Sequence, residues 1–166
     1  MMRKILTTLS ILGLGLTTSC DAQTEFSKES LAATLTTVEN KDITFEKILE
    51  ENKGKTLVIE VWASWCGDCI KAMPEVKTLK SSYPNVTFIN LSCDKTYNAW
   101  TDGLEVHSVT GENYLIKDGM KGVFGKSINL DWIPRFIIVD KNGKIALYKA
   151  IEKDFDKIKE TLKKLK

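Results

Sequence analysis

The sequence predicts an α/β fold, a central mixed β-sheet flanked by helices. Three observations predict it. A β-branched apolar run at residues 57–62 is followed by a helix-periodic stretch and a second apolar run at 86–91, as in a parallel strand-helix-strand unit. An Asn142-Gly143 step separates two further apolar runs, at 135–139 and 144–148, the strongest short-range signal of an antiparallel hairpin. The closing stretch places Phe155, Ile158, Leu162 and Leu165 on one helical face, with lysines around the rest.

In chain order, the first nineteen residues stand apart from this domain. Arg3 and Lys4 make a short basic start, and residues 5–16 form an apolar stretch shorter than a spanning helix needs, which reads as an export signal peptide. The following LTTSC resembles the lipobox of bacterial lipoproteins, although the usual Leu three positions before the cysteine is Thr17 here. That resemblance implies lipidation of Cys20, which would become the first residue of the mature chain. The alternative is an ordinary cleaved signal beside a stray cysteine. Residues 20–34 are small and polar and read as a tether, so the folded domain is expected over 35–166.

Residues 35–38 and 43–45 flank Asn40, Lys41 and Asp42, the pattern of a small N-terminal hairpin. A short helix over 46–52 ends at Lys53-Gly54-Lys55. Residues 57–62 are interrupted only by Glu60 and suit a strand buried on both faces. From Cys66 to about residue 82, Ile70, Met73, Val76 and Leu79 recur at helical spacing, with Pro74 predicting a kink. Between the second strand and the hairpin lies a long excursion, residues 92–132. Tyr97, Trp100 and Leu104 suit a helix there, and Gly111, Gly119, Gly122 and Gly125 suit an irregular return.

Composition removes whole classes of function. The chain has 166 residues, 43% hydrophobic and 28% charged, which suits one globular domain with its own core. Its 24 basic residues face 22 acidic ones, and without Arg3 and Lys4 the mature chain balances. A neutral domain without a basic stripe gives no reason to expect nucleic-acid binding. Four cysteines, at 20, 66, 69 and 93, are too few for a disulfide scaffold, so each needs its own explanation.

Cys66 and Cys69 stand in VWASWCGDCIKAMPE, where two cysteines three positions apart could ligate a metal, staple the fold or carry electrons. Three stretches together resemble the thioredoxin fold, and within it the extracytoplasmic thiol-disulfide oxidoreductases of the TlpA/ResA type. GKTLVIEVWASWCGDC resembles the strand and active-site motif, Pro74 sits at the family's kink, and WIPRFIIVDKNGKI resembles the cis-proline loop and hairpin. The resemblance spans residues 35–166 and implies an insertion before the cis-proline strand.

What it implies for the site can be stated residue by residue. Cys66, in the first helical turn where unpaired amides favour thiolate, is the nucleophile, and Cys69 is the resolving thiol. The Ile133-Pro134 bond is cis, and Trp65, Gly67, Asp68, Ile133, Pro134 and Arg135 line a substrate groove, with Trp62 as its wall. Glu60 matches a buried acid beneath the motif and is expected to have a raised pKa and take the proton of Cys69, the rival being a structural pair with Lys55. Asp68 beside Cys66 is expected to disfavour thiolate and so favour a reductase, unless it points to solvent and is screened. The subfamily's acid three residues after the second cysteine is absent, since that position is Ala72.

The expected partners are exported thiol or disulfide proteins, a membrane-embedded thiol relay supplying electrons, and the membrane itself through Cys20, with no cofactor. Apocytochrome c is one substrate class the subfamily suggests, but these residues do not select it. Cys93 reads as a small buried residue or as a third redox thiol, and His107 as a surface residue. A disulfide oxidase, a copper-binding chaperone and a non-catalytic adaptor are the competing functions.

Overall fold

The computed structural model describes residues 23–166. The expected signal peptide and Cys20 lie outside the described residues. The elements are α1 (Lys28–Ala32), β1 (Thr34–Thr37), β2 (Asp42–Thr44), α2 (Phe45–Glu51), β3 (Thr56–Trp62), α3 (Gly67–Ser82), β4 (Val86–Ser92), α4 (Tyr97–Val106), β5 (Glu112–Ile116), α5 (Val123–Ser127), β6 (Arg135–Val139), β7 (Ile145–Ala150) and α6 (Phe155–Lys164). All strands join one seven-stranded sheet in the order β2-β1-β5-β4-β3-β6-β7.

β3 runs parallel to β4 and antiparallel to β6, and every one of its residues is buried. Its side chains alternate between two cores, as strand geometry requires. Leu57, Ile59 and Val61 join Phe45, Ile48, Trp100 and Phe124 on the face covered by α1, α2, α4 and α5. Val58 joins Val76, Leu79, Phe136, Ile158 and Leu162 on the face covered by α3 and α6. At about 25 cal/mol per Å² of apolar area removed from water, these two layers supply the main force that holds the sheet. Among the described residues no helix is long and apolar enough to cross a membrane.

Three expectations need correction. The tether does not extend to residue 34: Ser27 caps α1, Phe26 packs edge-on against Phe45 with ring centroids 4.8 Å apart, and the amide of Ile145 donates to Thr24 O at 2.8 Å. One buried aromatic among polar neighbours was the only sign of this docking.

The excursion also contains a strand. β5 pairs in parallel with β4 and antiparallel with β1, and so joins the N-terminal hairpin to the sheet. Gly111 makes that approach possible, because it has φ 103° and a Cβ there would lie 2.6 Å from the carbonyl oxygen of Phe88. Finally, the buried stripe of α3 is Cys69, Ala72, Val76 and Leu79, not one beginning at Ile70, which is 38% exposed. The helix continues through Pro74 as a single element.

Candidate active site

Three segments converge at one edge of the sheet. β3 ends at Trp62 and the chain turns through Ala63, Ser64 and Trp65 into α3. β4 is parallel to β3, so its end delivers Ser92, Cys93 and Asp94 to the same edge. β6 is antiparallel and therefore starts there, with Arg135 opposite Val61. The peptide just before it, Ile133-Pro134, is cis and brings Ile133 O to 3.6 Å from Cys66 Sγ.

Cys66 is the N-cap of α3 and is disulfide-bonded to Cys69. The backbone N–H of Cys69 donates to Cys66 Sγ at 3.1 Å, the bond that a Ser or Thr oxygen makes at an ordinary N-cap. A thiolate on Cys66 would thus meet an amide donor and the positive end of the helix dipole. Cys66 is 6% exposed and Cys69 fully buried, so an incoming group reaches Cys66 first.

The rim is open. Trp65 is 60% exposed, while Trp62 is buried beneath it. A Cβ at Gly67 would meet nothing within 4 Å, which leaves bare main chain beside the disulfide. Asp68 is partly exposed and its carboxylate accepts from Lys71 Nζ at 3.3 Å. Its expected effect on Cys66 is therefore screened by a neighbouring cation and by water.

Arg135 does not line a groove. It is 2% exposed and its guanidinium donates to Asn129 O at 3.4 Å and to the carboxylate of Asp131, so it ties down the loop that precedes Ile133 from beneath. His107 is likewise not a free surface residue, because its ring meets Trp62 edge-on with centroids 6.4 Å apart.

Glu60 lies on the sheet face covered by α3, in a small cleft with Met73, Val76, Lys80, His107 and Thr110. Burial pushes its carboxyl up to about 7, against a weaker opposing pull from Lys80. Lys55, its suggested partner, instead bonds Asn52 Oδ1 at 2.9 Å. Lys80 is also held off, donating to Thr110 O at 2.6 Å. An acid in this state can accept or release a proton near neutrality.

Cys93 is 4% exposed and unpaired. Burial, with Asp94 and Asp118 nearby, pushes its thiol up to about 12, so it stays a neutral, weakly nucleophilic packing residue. Among the described residues no group of three or more His, Cys, Asp or Glu is placed to hold a metal ion.

One element of the site was missed in the sequence. Asp94, 2% exposed, accepts from Ser64 N at 3.1 Å, from Ser64 Oγ at 2.7 Å and from Ser92 Oγ at 2.7 Å. It clamps the loop carrying Trp65 and Cys66 to the end of β4. On the loop's other side Gly103 lets α4 approach, since a Cβ there would lie 2.5 Å from Ser64 Cβ. The signal available was a carboxylate directly after a buried strand, where it needs hydrogen-bond donors to be tolerated.

A helix-capping disulfide facing a cis-proline loop at the edge of this sheet defines a thiol-disulfide oxidoreductase. The chain belongs to the thioredoxin-like family, whose family model matches residues 54–145. It is 26% identical over 149 residues to the thiol-disulfide oxidoreductase ResA of Bacillus cereus, covering 89% of this chain and 82% of ResA. It is 25% identical to the sporulation thiol-disulfide oxidoreductase A of Bacillus subtilis, covering 96% and 98%. A Bacteroides vulgatus protein described as a thiol-disulfide oxidoreductase superposes with a TM-score of 0.66 at 28% identity, over 82% of this chain and 88% of its own.

Proposed function

We propose that the chain reduces disulfides in exported proteins while held at a bacterial membrane by acyl chains on Cys20. In this reading the Cys66 thiolate attacks a substrate disulfide, forming a mixed disulfide and expelling one substrate thiolate. Cys69 then gives its proton to Glu60 and attacks Cys66 Sγ, which releases the second substrate thiolate and leaves the Cys66–Cys69 disulfide. A membrane-embedded thiol relay returns two electrons to that disulfide. Trp65, Gly67 and Asp68 form the surface along which the substrate segment lies, bordered by the main chain of Ile133 and Pro134, whose side chains are buried.

The observation that carries the reductive direction is how few polar groups meet the buried Cys66 Sγ. It has one amide donor at 3.1 Å and a carbonyl oxygen at 3.6 Å, and among the described residues no cationic side chain bonds to it. Strong oxidants owe their potential to a heavily stabilised thiolate, and a thiolate with one donor leaves the disulfide the favoured form. The test is the reduction potential of the Cys66–Cys69 couple. A value near about −270 mV supports the reductase, and one near about −120 mV would show an oxidase instead.

A further inference from the structure

The chain enters the domain at the end of the sheet far from the disulfide. Ile145 N holds Thr24 O at 2.8 Å, and Glu25 pairs with Lys144. Ile145 is paired with Val139, and Val139 with Leu57, so Thr24 is level with the start of β3. The disulfide lies beyond its last residue, Trp62. The five steps from Leu57 to Trp62 span about 17 Å, and the turn to Cys66 adds to that. The four steps from Cys20 to Thr24 reach at most about 14 Å when fully extended.

These two lengths exclude one orientation. Were the disulfide edge turned to the bilayer that holds acyl chains on Cys20, Thr24 would be lifted farther from that bilayer than its connection reaches. We infer that the opposite end of the domain, where β3 begins and β6 ends, is a membrane-docking surface. Its occupant is the anionic bilayer that carries the anchor. The inference rests on the lipidation reading above and adds to it which way the domain faces.

The chemistry of this end fits that occupant. Exposed Lys53, Lys55 and Lys141 line one cleft beside the β6–β7 turn, and Lys141 and Lys166 line the next with Pro84 and Asn85. Of the acids here, Asp140 accepts from the amides of Asn142 and Lys144 inside the turn, Glu25 holds Lys144 and Glu50 of α2 holds Lys47, while Glu46 lines the first cleft together with Lys53 and Lys55. Lys53, Lys141 and Lys166 make no ion pair among the described residues; Lys166 Nζ lies over the Tyr83 ring at 5.0 Å, and Lys53 and Lys141 are free to meet lipid phosphates. A thiol donor in the same bilayer must therefore present its cysteines on a part that projects from the membrane surface.

Every element of the described fold follows Cys20, so the chain from Cys20 onward carries the described domain for a test. Mass spectrometry of protein recovered from bacterial membranes decides acylation of Cys20 by itself. The geometry is tested whatever that answer, by coupling the Cys20 thiol of the oxidised protein to a maleimide phospholipid in phosphatidylcholine–phosphatidylglycerol vesicles. A dye placed by azidophenylalanine at Asn142 or at Lys71 then transfers energy to an acceptor in the headgroups. Transfer is expected to be at least several-fold stronger from position 142, and equal or stronger transfer from position 71 would overturn the inference. With ten Gly/Ser residues inserted before Gln23, the preference should persist on vesicles with phosphatidylglycerol and vanish in Lys53→Glu/Lys141→Glu/Lys166→Glu. Its loss in the lengthened chain that keeps its lysines would refute the docking surface.

Discussion

Replacing Glu60 with Gln tests the acid beneath the motif through stability as well as catalysis. Moving a carboxyl from 4.5 to about 7 on folding corresponds to about 3 kcal/mol. The sign follows from proton counts. Between these two values the folded protein keeps the proton that the unfolded chain has lost, so stability falls as pH rises through that window. Below about 4.5 Glu60 is neutral in both states and carries no penalty, and above about 7 the full penalty applies.

Urea unfolding of the oxidised protein at pH 5 and pH 8 should thus show a loss of up to about 3 kcal/mol on going to the higher pH, and Glu60→Gln should abolish most of it. At pH 8 the variant should be the more stable protein. Stopped-flow resolution of the mixed disulfide should meanwhile slow by about 10²-fold or more, the usual loss when a general base is removed. Parallel stability curves for the two proteins across pH 5–8 would show that Glu60 is not the raised, buried carboxyl described above. An unchanged resolution rate would remove its role as proton acceptor.

Three further outcomes follow from the site's surroundings. Native Cys93 should resist iodoacetamide at pH 8 and react fully after unfolding, as a thiol pushed up to about 12 requires; alkylation at the rate of a free cysteine would contradict this. Asp94→Ala leaves buried donors of Ser64 and Ser92 without an acceptor and should lower stability by about 3 kcal/mol in calorimetry, whereas a change below about 0.5 kcal/mol would dissolve the clamp. Gly103→Ala should destabilise by about 1–3 kcal/mol by forcing Ser64 aside, despite the better helix propensity of alanine, and a stabilised variant would show that the loop yields freely.

Much of the fold was legible because it rests on local patterns. The run at 57–62 had to be a buried strand, the Asn-Gly step marked the hairpin, and the spacing of Ile158 and Leu162 described α6. β5 was hidden because Glu112 and Asn113 begin it and only three buried residues follow, too short a run to separate from a loop. Arg135 was misread for a related reason. A charged residue beside the cis-proline invites a functional role, but a buried arginine is tolerated once Asn129 O and the Asp131 carboxylate accept hydrogen bonds from its guanidinium.

By itself, the sequence picked out the residues proposed to carry the chemistry: two cysteines at the first turn of a helix, an acid in the strand before them and a proline ahead of the next strand. These lie close along the chain or in matched motifs, and their character is intrinsic to residue type. Only the tertiary structure decided what surrounds them, because burial and hydrogen-bond partners come from segments far apart in sequence. The carboxyl of Glu60 is raised because α3 closes over it, and Cys93 is inert because β4 and the 117–121 loop enclose it. The loop bearing Cys66 is held by Asp94, thirty residues after the Ser64 that it binds.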